Sequence, residues 1–124
     1  MGVTSRLLIV DDDPNSIDLV VEYLDGCDFE IITANDGEQA LSILEERPHD
    51  FDVLLTDRMM PRMNGIELLG RVKRNRETAN IPVIMITAAA DRKDVLEGIN
   101  AGAYYYMTKP IDGEVLVSMV KAAA

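Results

Sequence analysis

Apolar residues along this chain follow two alternating periods. Short runs such as Leu7-Leu8-Ile9-Val10, Val53-Leu54-Leu55 and Val83-Ile84-Met85-Ile86 have the length and branching of buried strands. Between them, apolar positions recur at helical spacing: Ile17, Val20, Val21 and Leu24; Ala40, Leu41 and Leu44; Leu68, Leu69 and Val72; Val95, Leu96 and Ile99; and Val115, Leu116, Met119 and Val120. The pattern predicts strands near Arg6–Asp11, Phe29–Thr33, Val53–Asp57, Val83–Thr87 and Tyr104–Thr108. It predicts helices near Pro14–Asp25, Gly37–Glu46, Gly65–Asn75, Arg92–Asn100 and Gly113–Ala123, with the groups above facing inward. Asp13 before Pro14 is a helix start, because the carboxylate caps free N–H groups and proline at the first helical position forfeits no bond. Asn35-Asp36 caps the second helix and Pro48 ends it. Five strands, each followed by a helix, predict an α/β fold with an open doubly wound parallel sheet, since parallel neighbours need helical crossovers of one hand.

A length of 124 residues with 48% apolar content suits a single domain, 1–124, able to bury a core without disulfides. Twelve basic against 22 acidic residues leave a net charge of −10, which repels nucleic acid phosphate and anionic lipid. Direct nucleic acid binding and membrane association are therefore not expected. Cys27 has no internal partner and reads as a small, partly buried residue in a turn or strand entry. No stretch of signal-peptide length opens the chain, and its longest apolar stretch, Ile81 to Ala90, is too short to span a bilayer. A soluble, cytoplasmic protein is expected.

Polar residues stand where apolar runs stop: Asp11, Asp12 and Asp13; Asp57; Thr87; and Lys109-Pro110. A parallel sheet binds ligands at the carboxyl ends of its strands, so these groups converge on one crevice. With Asp13 serving as the cap, Asp11, Asp12 and Asp57 form an all-oxygen set suited to Mg2+, which takes one or two carboxylates and keeps water elsewhere. The Asp11–Asp13 run alone is also consistent with a solvated capping cluster, and Asp57 weighs against that. Beside a metal, the Asp57 carboxylate can attack phosphorus to form an aspartyl phosphate. Thr87 offers a hydroxyl, the Ala88 backbone an N–H, and Lys109 a point charge to neutralise phosphoryl oxygens.

The segments Leu8-Ile9-Val10-Asp11-Asp12-Asp13, Asp57-Arg58-Met59-Met60-Pro61 with Gly65, Thr87-Ala88 and Lys109-Pro110 together resemble the receiver domain of two-component response regulators, of the chemotaxis type, from Arg6 to the last helix. The resemblance implies a flavodoxin-like sheet of order 2-1-3-4-5, whose switch point lies between the first and third strands. It implies that Asp57 accepts phosphate from a sensor histidine kinase or phosphotransfer protein. Asp12 would be a direct Mg2+ ligand, Asp11 would act mainly through water, and the Met59 backbone carbonyl would complete the protein share. Thr87 and Lys109 would hold the phosphoryl group, and the Lys109–Pro110 peptide would be cis.

By the same resemblance the chain is a switch that catalyses its own phosphorylation and dephosphorylation without turning over an external substrate. Thr87 moves toward the phosphoryl group and the aromatic Tyr106 turns inward. An alternative for Tyr106 is simple packing on an edge strand. Tyr104 and Tyr106 share one side of the fifth strand and Tyr105 takes the other. With the fourth and fifth helices they would offer a surface to a downstream effector protein, to an output domain absent from this chain, or to a second copy in a phosphorylation-dependent homodimer. Met59 and Ala89 cannot orient an attacking water, which implies slow self-dephosphorylation. Met59, Met60 and Met63 are expected to shield the site, and His49 to be a solvated loop residue.

Two other readings use parts of the same pattern. A haloacid dehalogenase type of enzyme would take Asp11 and Asp13 as a D-x-D nucleophile motif. Pro14-Asn15 continues that motif poorly, no cap domain fits, and Asp57 beside Met60-Pro61 is left unexplained. A flavin carrier needs a glycine- and hydroxyl-rich loop after the first strand, where this chain is anionic.

Overall fold

Five parallel strands form one sheet in the order β2-β1-β3-β4-β5 in a computed structural model that describes residues 4–88 and 91–124. The elements are β1 Ser5–Val10, α1 Pro14–Leu24, β2 Phe29–Ala34, α2 Gly37–Glu46, β3 Val53–Asp57, α3 Gly65–Arg74, β4 Val83–Thr87, α4 Arg92–Asn100, β5 Tyr105–Thr108 and α5 Gly113–Ala123. Expected boundaries hold to within a residue, and the flavodoxin-like order is the one observed.

The two-residue period of the strands sorts their side chains between two cores. Leu7, Ile9, Val53, Leu55, Ile84, Ile86 and Met107 pack with Ile17, Val20 and Leu24 of α1 and Leu116 and Val120 of α5. Leu8, Val10, Leu54, Val83, Met85 and Tyr106 face the other way, onto Ala40 and Leu44 of α2 and Leu68, Leu69 and Val72 of α3. All five residues of β3 and of β4 are buried, as expected of central strands covered on both faces. Each fully buried leucine or isoleucine stabilises the fold by about 1.5–3 kcal/mol. Every helix starts on an Asp or Asn whose side chain accepts an N–H bond: Asp13 from Asn15, Asp36 from Gln39, Asn64 from Glu67, Asp91 from Asp94 and Asp112 from Glu114. Part of the chain's acidity is therefore structural.

Three expectations need correction. Leu96 and Ile99 of α4 point to solvent at 50% and 45% exposure, and Val95 is half-buried; Gly98 is the buried residue of that helix. The reason is that the core space beneath α4 is filled from the sheet by Tyr106. Val115 likewise stands at the exposed edge of α5. Tyr104 precedes β5 and is 48% exposed, because its N–H, bonded to the Val83 carbonyl at 2.8 Å, only brings the chain onto the sheet edge.

The third helix starts hard against the end of β3. A Cβ on Gly65 would fall on the Asp57 carbonyl oxygen and lie 2.7 Å from Met85 Sδ and 2.8 Å from Arg58 Cα, while the Gly65 N–H donates to the Arg58 carbonyl at 2.8 Å. No flexible side chain can yield all of that space. Gly65→Ala is expected to lower stability by ~1–3 kcal/mol through overpacking, measured as a lower urea midpoint at unchanged slope.

Candidate functional site

The crevice forms where the connections of β1 and β3 leave the sheet on opposite faces, toward α1 and α3 respectively. Val10 pairs with Thr56, so Asp11 and Asp57 follow and end neighbouring strands side by side. Carboxylate oxygens of Asp11, Asp12 and Asp57 lie within 4.8 Å of one another. Asp11 and Asp57 are buried and Asp12 is exposed. Asp13 stays out of the cluster as the α1 cap, and its N–H donates to Asp11 Oδ1 at 2.9 Å.

Lys109 reaches this cluster from beyond β5. Its backbone N–H donates to the Thr87 carbonyl at 2.8 Å, and the following Lys109–Pro110 peptide is cis. Its ammonium lies 3.3 Å from Asp57 Oδ2 and 3.5 Å from Asp11 Oδ2. Asp57 Oδ1 accepts a bond from the Met59 N–H at 3.3 Å. Burial, helped by the Asp57 and Asp12 charges, pushes the Asp11 carboxyl up from 3.8 to about 6, although the Asp13 N–H and the Lys109 ammonium pull it down. Burial works against the Lys109 charge, but Asp57 and Asp11 outweigh it and raise the ammonium above its ordinary value. One ammonium thus faces three carboxylates, a set that suits a hard divalent cation held by oxygen.

Thr87 ends β4, fully buried, next to Asp57 across the β3–β4 pairing in which Asp57 stands opposite Ile86. Ala88 follows in an exposed bend, while Ala89 lies outside the described residues. Tyr106 is 8% exposed and faces the core beneath α4, with its hydroxyl 3.2 Å from Arg58 Nη1. The methionines beside the site divide: Met60 is buried in the core and Met63 packs against Gly37, but the Met59 side chain is 63% exposed and shields nothing. His49 is solvent-exposed beside Glu77, remote from the strand tips.

Arg58 is the residue that sequence reasoning missed. It donates to the Asp94 carbonyl at 3.0 Å and to Tyr106, and pairs with Glu97. A signal for it existed: a charged residue directly after the buried run ending at Asp57, with acidic residues three apart at Asp94 and Glu97 on one face of a helix.

The model of the family described as response regulator receiver domain matches residues 7–121. The transcriptional regulatory protein CpxR of Escherichia coli (strain K12) is 41% identical over 118 residues, which are 95% of this chain and 48% of that protein. The chain spans about half the length of the curated relatives it matches, 51% and 48% for example. Among solved structures, a putative response regulator from Chloroflexus aurantiacus is 33% identical at a TM-score of 0.90, covering 98% of both chains. The chemotaxis protein CheY4 of Vibrio cholerae is 28% identical at a TM-score of 0.89, covering 98% of this chain and 100% of that one.

In the metal-free protein, the Asp11 site contributes stability that is full below about pH 3.8, where folded and unfolded chains are both protonated, and is lost as pH rises through about 6. Asp11→Asn removes that dependence. Melts at pH 5 and pH 7.5 without metal are expected to show wild type losing melting temperature relative to the variant at the higher pH.

Proposed function

This chain belongs to the response regulator receiver domain family, and we propose that residues 1–124 are a single receiver that switches when Asp57 accepts a phosphoryl group from a sensor histidine kinase or phosphotransfer protein. The observation that carries this reading is the Lys109 ammonium placed between Asp57 and Asp11 at 3.3 and 3.5 Å, with Asp12 completing the carboxylate cluster. Neither rival chemistry uses that constellation: a nucleophilic Asp11 would leave Asp57 without a role, and a flavin phosphate would meet three carboxylates.

Mg2+ fits the donor set, with Asp12, Asp57 and the Met59 carbonyl as direct ligands and Asp11 acting through water; bound there, it would neutralise charge on the carboxylates and the incoming phosphoryl oxygens. An Asp57 carboxylate oxygen forms the new bond to phosphorus as the bond to the donor's nitrogen or acyl oxygen breaks, and the donor leaves with that electron pair. Lys109 passes from its ion pair with Asp57 to the phosphoryl oxygens, with the Thr87 hydroxyl and the Ala88 N–H as further donors. No proton need be removed from the nucleophile, because Asp57 attacks as a carboxylate.

The adduct adds charge and acceptor oxygens at one point, so its signal depends on a two-state element. In this reading Thr87 provides the moving part, while Tyr106 already lies inward before phosphorylation, at 8% exposure, and serves to couple β5 to α4; the exposed face of α4, β5 and α5, with Leu96, Ile99, Tyr104 and Val115, is presented to an effector, an output domain or a second copy. The relatives' printed names, including a DNA-binding response regulator, support an output outside this chain. No helix among the described residues is long and apolar enough to cross a membrane, in keeping with a cytoplasmic switch.

Incubation with Mg2+ and a small acyl phosphate is expected to give one base-labile phosphoryl adduct by intact mass, absent without Mg2+ and absent in Asp57→Ala. No adduct on the folded protein, or one that survives Asp57→Ala, would remove this reading. Because Met59 is exposed at the site and cannot orient water, Met59→Asn is expected to shorten the phosphoprotein half-life about tenfold, the scale of one well-placed hydrogen bond; a decay time course measures it.

A further inference from the structure

We propose that Arg58 is a positioning residue that holds Tyr106 inward and ties it to α4, so that the end of β3, the inward tyrosine and α4 form one mechanical unit. The proposal rests on the receiver reading for its meaning, since it supplies a link between the acceptor and the output face, but the contacts themselves stand without it.

The backbone of Arg58 is fixed on both sides. Its N–H donates to the Ile86 carbonyl at 3.0 Å, and its carbonyl accepts from Gly65 at 2.8 Å. From that anchored point, one residue beyond Asp57, the side chain crosses to α4 and is only 12% exposed. Nη1 donates to the Asp94 carbonyl at 3.0 Å and to the Tyr106 hydroxyl at 3.2 Å; Nη2 pairs with Glu97 and lies 3.7 Å from Asp94 Oδ1. Charge-assisted bonds from a half-buried guanidinium fork to several acceptors have a fixed geometry that an ammonium cannot reproduce.

The ring of Tyr106 is gripped from above as well. A Cβ on Gly98 would lie 2.7 and 2.8 Å from Tyr106 Cδ2 and Cε2. Glycine in a helix interior is unfavourable relative to alanine, yet it stands at the one α4 position where any larger residue would occupy the space of the inward ring. With Leu96 and Ile99 turned to solvent, α4 has little apolar anchorage of its own. The contacts to Arg58 and Tyr106 are therefore a large share of what holds it to the sheet. Loss of the guanidinium removes its bond to Tyr106 and its links to α4 together.

The test uses the unphosphorylated full chain labelled with 3-fluorotyrosine, the Tyr106 signal being assigned by Tyr106→Phe. Fluorine relaxation by a soluble paramagnetic agent reports exposure, and Tyr104, already exposed, serves as the internal reference. In Arg58→Lys the Tyr106 signal is expected to shift and its relaxation to rise toward that of Tyr104. In Gly98→Ala, where the added methyl takes the ring's space with Arg58 intact, the same displaced signal is expected. Amides of α4 are expected to exchange about tenfold faster in Arg58→Lys, the scale of a charge-assisted hydrogen bond, with β1 and β3 unchanged. A Tyr106 signal that stays protected in either variant overturns the proposal, as does faster exchange spread evenly over the sheet, which would mark Arg58 as merely stabilising. Absence of a phosphoryl adduct on Asp57 would sink the receiver reading without altering any of these outcomes.

Discussion

Two buried carboxylates on adjacent strands share one ammonium, and most of the architecture around the crevice serves that arrangement. Asp11 and Asp57 are placed side by side by the β1–β3 register, at the tips of strands whose other residues are almost wholly apolar. Alone they would repel each other and be stripped of water. Lys109 relieves this from two strands away, because its backbone is fixed to Thr87 and its stem spans the end of β4. The relief is incomplete, as the raised Asp11 carboxyl shows. A site one cation short of balance favours a divalent ion and gains from any further reduction of charge on its oxygens.

The helices divide unequally in how firmly they are held. On one face α1 and α5 insert leucines, valines and an isoleucine into the sheet, and on the other α2 and α3 do the same. The fourth helix lacks such an apolar keel and meets the sheet through Gly98, Val95 and polar links to Arg58. Elements with few buried apolar contacts open at lower free energy than the core. A helix held by polar contacts to the residue after Asp57 is well placed to respond to events at that carboxylate, whereas α1 or α3 would have to break a packed core first.

Much of this was legible in advance because it is carried by periodicity and by strand tips. The β3 and β4 runs are buried along their whole length, so their ends had to be polar, and the Asp and Asn caps fall where side chains compete for free N–H groups. The clustering of Asp11, Asp12, Asp57 and Lys109 follows from order and spacing once the sheet is parallel. The apolar stripe of α4 misled, since helical spacing of Val95, Leu96 and Ile99 looks the same whether the facing space is open or already filled by Tyr106. Met59 misled in a similar way, since hydrophobicity does not tell which way a loop side chain points.

Strand and helix identity, a parallel sheet, the caps of the first two helices and the convergence of carboxylates with a lysine were determined by the sequence itself, because each depends on local periodicity or on a residue's place at an element's end; the strand order followed only from the resemblance to the receiver family. The tertiary structure alone decided that Arg58 crosses to α4, that Gly98 rather than Leu96 or Ile99 faces inward, and that Asp11 is raised while sharing Lys109 with Asp57. Those outcomes depend on distances between elements far apart in the chain and on which side chain first fills a shared space, and neither quantity is written in the period of any one segment.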